Sequence, residues 1–289
     1  MLNVRHRRLI VGLVGMVLAI AGLSITSGTA QAAPTWAPAA TAAIHPGVQT
    51  YTSGGQCTAN FVFTDSAGNV YVGQAAHCSS TGAATDTNGC VAQSLPLGTA
   101  VTFNTGGSLV SDGTVVGHGT MVYNSWLTMQ GSGETDANTC AYNDLALVKV
   151  DAADVGKVNP SVPFFGGPVG INTTGLAAGA KVYSYGNSSL RLGIAQLSPK
   201  KGISLGTDSG GWNHTVYTVT PGIPGDSGSG FLDASGRAFG VLSTVAIAPL
   251  PASNGVGDLA HELAWAQAHG WSGLQLVPGT EAFTPGLPI

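Results

Sequence analysis

The chain has 289 residues, a formal net charge of −4, only 8% charged residues and 43 glycines. A hydrophobic share of 44% with so little net charge describes a chain able to bury a core, and it excludes intrinsic disorder. The acidic balance excludes nucleic-acid binding through a basic surface.

Met1–Ala32 opens with Arg5, Arg7 and Arg8, continues with an apolar run from Leu9 to about Leu23, and ends on Ala30-Gln31-Ala32. Basic start, apolar middle and small-residue end make a secretory signal peptide. The run is shorter than the about 20 residues a membrane span needs. The surroundings of Arg7-Arg8 match a twin-arginine signal poorly, so the general secretory route is expected. Without the leader, seven basic residues face fourteen acidic ones, a formal net charge of −7. The mature protein is expected to be soluble and extracellular, with no membrane or nucleic-acid partner, and monomeric. Residues 33–46 are rich in Ala, Pro and Thr and read as a flexible lead-in or pro-segment.

Short apolar runs separated by Gly, Asn, Asp and Pro then predict many strands and turns. A first set covers Thr58–Thr64, Val70–Gln74, Leu97–Phe103, Thr114–Tyr123 and Asp144–Val150, within residues 47–155. Pro160, Pro163 and Pro168 mark a connection. A second set, within residues 156–289, covers Lys181–Tyr185, Leu190–Leu197, Thr215–Thr220, Ser229–Leu232 and Ala238–Val245. One helix is predicted, with Asp258 as N-cap, Leu259, Leu263 and Ala266 at helical spacing, and a stop near Gly270.

Four cysteines, Cys57, Cys78, Cys90 and Cys140, all follow the leader. An even number in an exported chain predicts disulfides, with three pairings possible. No Cys-x-x-Cys is present, which disfavours a metal site. His261-Glu262 invites a zinc-protease reading, but position 265 is Trp where the second histidine of that motif is needed. The pair is therefore expected on the helix surface, and neither metal nor organic cofactor is called for.

Three distant islands carry the chemistry: Ala75-Ala76-His77-Cys78, Asn143-Asp144-Leu145-Ala146-Leu147 and Gly225-Asp226-Ser227-Gly228. A serine hydroxyl must lose its proton as it attacks, so it needs a neighbouring base that titrates near neutrality, and histidine meets that need. The imidazole in turn needs one tautomer and support for its developing charge, which a buried carboxylate supplies. Asp144 opens an apolar run that shields it, whereas Asp86, Asp112 and Asp136 lie in polar loops. His45, His118, His214, His261 and His269 lack any such setting. Asp208-Ser209-Gly210-Gly211 competes for the nucleophile, but two N–H groups aimed at one point favour glycine two places before the serine. Gly225 meets that condition and Thr207 does not.

Taken together, the three islands and their order resemble the chymotrypsin-like (trypsin-like) serine peptidases of the secreted bacterial type, over about Gln56 to Trp265. The resemblance implies an all-β fold of two antiparallel six-stranded barrels with a carboxy-terminal helix. It implies His77 as general base, Asp144 as its orienter, Ser227 as nucleophile, and the N–H groups of Gly225 and Ser227 as the oxyanion hole. It also implies a Cys57–Cys78 disulfide, which leaves Cys90 and Cys140 as the other pair. Polypeptide substrates are expected to pair with Ser243, Thr244 and Val245. Pro221 stands six before the nucleophile, where enzymes that cut after Lys or Arg carry an acid. Val245 stands where the family often has Gly, so a narrowed, apolar pocket is expected.

One departure concerns Asp226. Relatives among the animal digestive enzymes pair this acid with a new amino terminus, and no matching cleavage site lies between Ala33 and Cys57. Lys181, Arg191 and Arg237 are the candidate partners, and activation without terminal insertion is expected. Two rival readings are a catalytically silent binding protein of the same fold and an α/β-hydrolase esterase. The esterase fold predicts helices alternating with strands, whereas this chain reads as many short strands with one helix.

Overall fold

The computed structural model describes residues 34–83, 86–245 and 251–286, so the expected signal peptide lies outside the described residues. In the amino-terminal half the strands are β1 (Gln49–Thr52), β2 (Gly55–Thr58), β3 (Val62–Thr64), β4 (Val70–Ala75), β5 (Ala100–Thr105) and β6 (Thr114–Asn124). Two short helices follow, α1 (Ser125–Ser132) and α2 (Ala137–Tyr142), then β7 (Leu145–Val150). The second half holds β8 (Lys181–Tyr185), β9 (Pro199–Asp208), β10 (Asn213–Thr218), β11 (Gly230–Asp233), β12 (Ala238–Val245), β13 (Asn254–Asp258), α3 (Leu259–Ala268) and β14 (Gln275–Leu276).

Six strands close into an antiparallel barrel in the order β10-β13-β12-β11-β8-β9. The other strands form an eight-stranded antiparallel sheet, β14-β3-β4-β7-β6-β5-β1-β2. That sheet exceeds six strands because the β1–β2 hairpin extends one edge and β14, from the carboxy-terminal tail, pairs with β3 at the other. The expected all-β fold with a carboxy-terminal helix is thus present. Its barrel interior packs Val182, Val216, Phe231, Phe239, Leu242 and Val256. A second cluster fills the sheet with Val62, Val72, Phe103, Met121 and Val148. The third joins the sheet residues Phe61, Tyr123 and Leu145 to Tyr183 and Val241 of the barrel and to Leu259 and Leu263 of α3. Burial of such side chains contributes about 1.5–3 kcal/mol each, which is what holds the two sheets against each other.

Several sequence expectations need correction. Leu190–Leu197 is not a strand: two 3-10 turns occupy Ser189–Arg191 and Ala195–Leu197, and between them, before Ile194, Leu192 and Gly193 take φ of 55° and 75°. Ser188 accepts from Leu190 N–H and starts the first turn. Leu190, Leu192, Ile194 and Leu197 are all more than a third exposed, so the apolar run that resembled a strand has no core to face. Two helices were not expected. Asn124 caps α1 by accepting from the N–H groups of Trp126 and Leu127, and Gly133, at φ 71°, ends it. Asp136 caps α2 through Thr139 N–H. Nor are residues 34–46 a loose lead-in: Ile44 is fully buried, and Ala37, Ala43 and Ile44 donate N–H groups to Val158 and Lys157 carbonyls. The predicted helix α3 is present, with Asp258 accepting from His261 N–H as its N-cap.

No helix of the described residues is long and apolar enough to cross a membrane. Disulfides join Cys57 to Cys78 and Cys90 to Cys140.

Candidate active site

Strands β4 and β7 are antiparallel neighbours, with Ala75 opposite Leu145. Ala75 ends β4 and Leu145 starts β7, so the residues just beyond the pair meet at one end of the sheet. Ala76 N–H donates to Asp144 O at 2.8 Å, carrying the ladder one step further. The chain then turns through the 3-10 segment Ala76–Ser79, which holds His77. Asn124 Nδ2 clamps that turn by donating to Ala76 O and Ser79 Oγ, and the Cys57–Cys78 bond ties it to β2.

His77 Nδ1 lies 2.7 Å from Asp144 Oδ2, and His77 N–H donates to Asp144 Oδ1 at 2.9 Å. Ser243 Oγ donates to Asp144 Oδ2 at 2.7 Å. A register shift between Leu242 and Thr244 accompanies this contact on β12. Three donors on a carboxylate that is only 4% exposed satisfy it as an anion. The ionised carboxylate accepts from Nδ1–H, so the lone pair of His77 sits on Nε2. Burial alone would lower the His77 pKa; the charge and hydrogen bond of Asp144 outweigh it, and the imidazole is held above its ordinary value. The His77 side chain is 24% exposed, with the buried Trp126 ring 6.5 Å away.

Asp144 N–H donates to Glu262 Oε1 at 2.9 Å. Glu262 is fully buried, so its expected place on the helix surface is wrong, while His261 beside it is exposed as expected. Helical spacing explains the error: Glu262 is three residues after Leu259 and four before Ala266, on the apolar face. Glu262 Oε2, Tyr123 OH and the Asn143 side-chain amide have no hydrogen-bond partner among the described residues. Burial is the main cause that pushes the Glu262 carboxyl well above its usual range, with the charges of Asp144 and Asp258 adding to it.

The Gly225–Gly228 loop packs on the ends of β2 and β4. Thr58 N–H donates to Ser227 O at 2.8 Å, and Gly228 N–H donates to Leu242 O. A Cβ on Gly228 (φ 85°) would stand 2.6 Å from Thr58 O and 2.8 Å from Ala75 N, so only glycine lets this loop reach the strand that leads to His77. Gly225 has φ 91°. Its carbonyl accepts from Gln56 Nε2 and Thr58 Oγ1 at 3.0 and 2.8 Å. Among the described residues, no acceptor is bonded to the N–H of Gly225 or of Ser227.

Asp226 is fully buried, and its partners answer the question that the sequence left open. Oδ2 accepts from Arg191 Nη2 at 2.6 Å, Lys200 Nζ at 2.8 Å and Ile223 N–H at 3.1 Å, while Oδ1 accepts from Ser188 N–H at 3.0 Å. Of the three expected candidates Arg191 is a partner; Lys181 and Arg237 are exposed. Lys200 was missed, because a lysine between Pro199 and Lys201 carries no mark of burial. Burial pulls its ammonium below the usual range, Asp226 opposes the shift, and Arg191 adds to it.

Ser209, the rival nucleophile, donates its hydroxyl to Asp208 Oδ1. Thr244 and Val245 pair on one side with β13, Ser243 standing at the register shift, while the pairing with β11 stops at Val241 on the other side. Pro221 O accepts from Arg191 Nη2. Cys57, His77 and Cys78 lie close enough together for a metal, but both sulfurs are spent in the disulfide and offer no thiolate. His214, without a setting in the sequence, is fully buried with its ring nitrogens against Asp258 Oδ2 and Thr207 Oγ1.

No protein-family model matches the chain, and no curated protein matches its sequence. Solved structures do match. Thermobifida fusca Protease A is 16% identical, with a TM-score of 0.51, covering 82% of this chain and 99% of its own. A glutamic acid-specific serine protease is 17% identical over 81% of this chain and 100% of its own, with a TM-score of 0.49. Nocardiopsis protease is 17% identical over 81% and 98%, with a TM-score of 0.47. At this identity the likeness speaks for architecture, and the fold of this chain is that of the chymotrypsin-like bacterial serine proteases.

Proposed function

We propose that the chain is a secreted serine endopeptidase that hydrolyses polypeptides through an acyl-enzyme on Ser227. The observation that carries this reading is the His77–Asp144 pair at 2.7 Å, buried on the Asp144 side and open on the histidine side, with the Ser227 loop packed against the end of β4.

In this reading His77 Nε2 takes the Ser227 Oγ proton as the oxygen attacks the peptide carbonyl. The oxyanion that forms is met by Gly225 and Ser227 N–H groups, and Asp144 holds the imidazolium. His77 then returns the proton to the leaving amine. Water, activated by the same nitrogen, releases the acid and restores Ser227. Substrate extends along the open side of Ser243–Val245 as an added strand. Arg191 and Lys200 hold Asp226, so the oxyanion loop is supported from within and needs no new amino terminus. The two disulfides suit an oxidising, extracellular setting, in line with the Met1–Ala32 leader.

The test is labelling by a fluorophosphonate probe together with casein hydrolysis. Both are expected in the wild type and absent from Ser227→Ala. A folded wild type that does neither supports the silent binding protein instead.

A further inference from the structure

We propose that Asn254 closes the pocket for the residue whose carbonyl is attacked (P1), restricting the enzyme to small uncharged P1 residues. The inference rests on the peptidase reading above and adds to it a specificity-determining residue that lies outside the segments assigned there to substrate.

Two stretches flank the P1 pocket in that reading, one around Pro221 and one at Ser243–Val245. The Asn254 side chain spans the gap between them. Its Oδ1 accepts from Gly222 N–H at 2.8 Å, and its Nδ2 donates to Gly222 O and to Thr244 O, both at 3.2 Å. Both amide hydrogens and the oxygen are therefore engaged, and Asn254 is fully buried. The strand register puts it opposite Val245, with Gly255 opposite Thr244. A Cβ on Gly222 would stand 2.9 Å from both Asn254 Nδ2 and Leu242 Cδ2, so the space beside this wall is already filled.

A large P1 side chain would have to displace the amide, leaving the buried N–H and carbonyl of Gly222 and the part-buried carbonyl of Thr244 without partners. Val245, expected to narrow the pocket, is 46% exposed at the end of β12 and does not fill that space. Charge selection has no support either. Asp226 is held by Arg191 and Lys200, which also donate to the carbonyls of Pro221 and Thr220 behind the wall. A neutral amide is what faces the gap.

The test is P1 profiling on a peptide library with the full-length wild type, Asn254→Gly and Asn254→Ala, alongside fluorophosphonate labelling of each. The wild type is expected to cut after Gly, Ala and Ser. Asn254→Gly is expected to raise kcat/KM for Leu and Phe at P1 by about 10- to 200-fold, with labelling at Ser227 retained. Asn254→Ala keeps the strand's Cβ and gives a smaller gain in the same direction, with thermal unfolding to check that each variant is folded. A wild type that labels but prefers Phe, Leu, Arg, Lys or Glu overturns the proposal and leaves the peptidase reading intact. So does an unchanged profile in both variants. A folded wild type that fails to label overturns the peptidase reading and this inference with it.

Discussion

Asp144 and Glu262, 118 positions apart, are joined by a hydrogen bond from the Asp144 backbone N–H to Glu262 Oε1 at 2.9 Å. The carboxylate that holds the His77 imidazole is thus itself seated by a buried carboxyl on α3. Burial holds the Glu262 carboxyl well above its usual range in the folded state, whereas an unfolded glutamate ionises near pH 4.3. The fold then binds the extra proton, so stability is full below that pH and declines as pH rises towards the folded value. Glu262→Gln removes this dependence while preserving an acceptor for Asp144 N–H. Denaturation midpoints across pH should show the wild type losing ground to Glu262→Gln above about pH 4.3. Glu262→Ala leaves Asp144 N–H unpaired and should cost about 1–3 kcal/mol. A parallel pH course for wild type and Glu262→Gln would contradict a protonated Glu262.

Asp144 holds the His77 pKa above its ordinary value, and only the neutral imidazole can act as base. The pH profile of kcat/KM should therefore rise through a midpoint above about 6.5, the ordinary histidine value. Asp144→Asn presents an amide to Nδ1 and favours the wrong tautomer, with an expected loss of about 10,000-fold in kcat at neutral pH. A midpoint below 6.5 would count against the pair as described.

At Asp226 one carboxylate serves two buried cations. Asp226→Asn strands both Arg191 and Lys200 and should destabilise by about 3–5 kcal/mol. Lys200→Met removes one cation and its burial cost while Arg191 still balances Asp226, so it should be far milder. Urea unfolding of the two variants gives the comparison, and equal losses would contradict the arrangement. Blocking the mature amino terminus should leave peptidase activity unchanged.

The Cys90–Cys140 bond closes a loop of 50 positions, against 21 for Cys57–Cys78. Loop closure predicts up to about 4 kcal/mol for the longer one. Replacing Cys90 and Cys140 by Ser together should lower the melting temperature by that equivalent, while Ser227 labelling persists at low temperature because the Cys57–Cys78 bond still ties the His77 turn to β2.

The parts of the site that were legible in the sequence are those with local signatures. Gly225 and Gly228 mark a loop whose positive φ angles exclude other residues, and Asp258 before Leu259 marks a helix start. The islands around His77, Asp144 and Ser227 are similarly short and specific, and the all-β architecture follows from short apolar runs between turn residues. Tertiary structure alone decided the rest. Whether Lys181, Arg191, Lys200 or Arg237 reaches Asp226 depends on the register and closure of the barrel, since a cation's burial is set by what packs around it. Glu262 and Asn254 are ordinary polar residues in sequence, and their roles arise because α3 and β13 carry them into contact with Asp144, Gly222 and Thr244. Local backbone preference acts over a few residues and can be read from a string, whereas a buried polar group takes its partner from elements brought together by the packing of the whole chain.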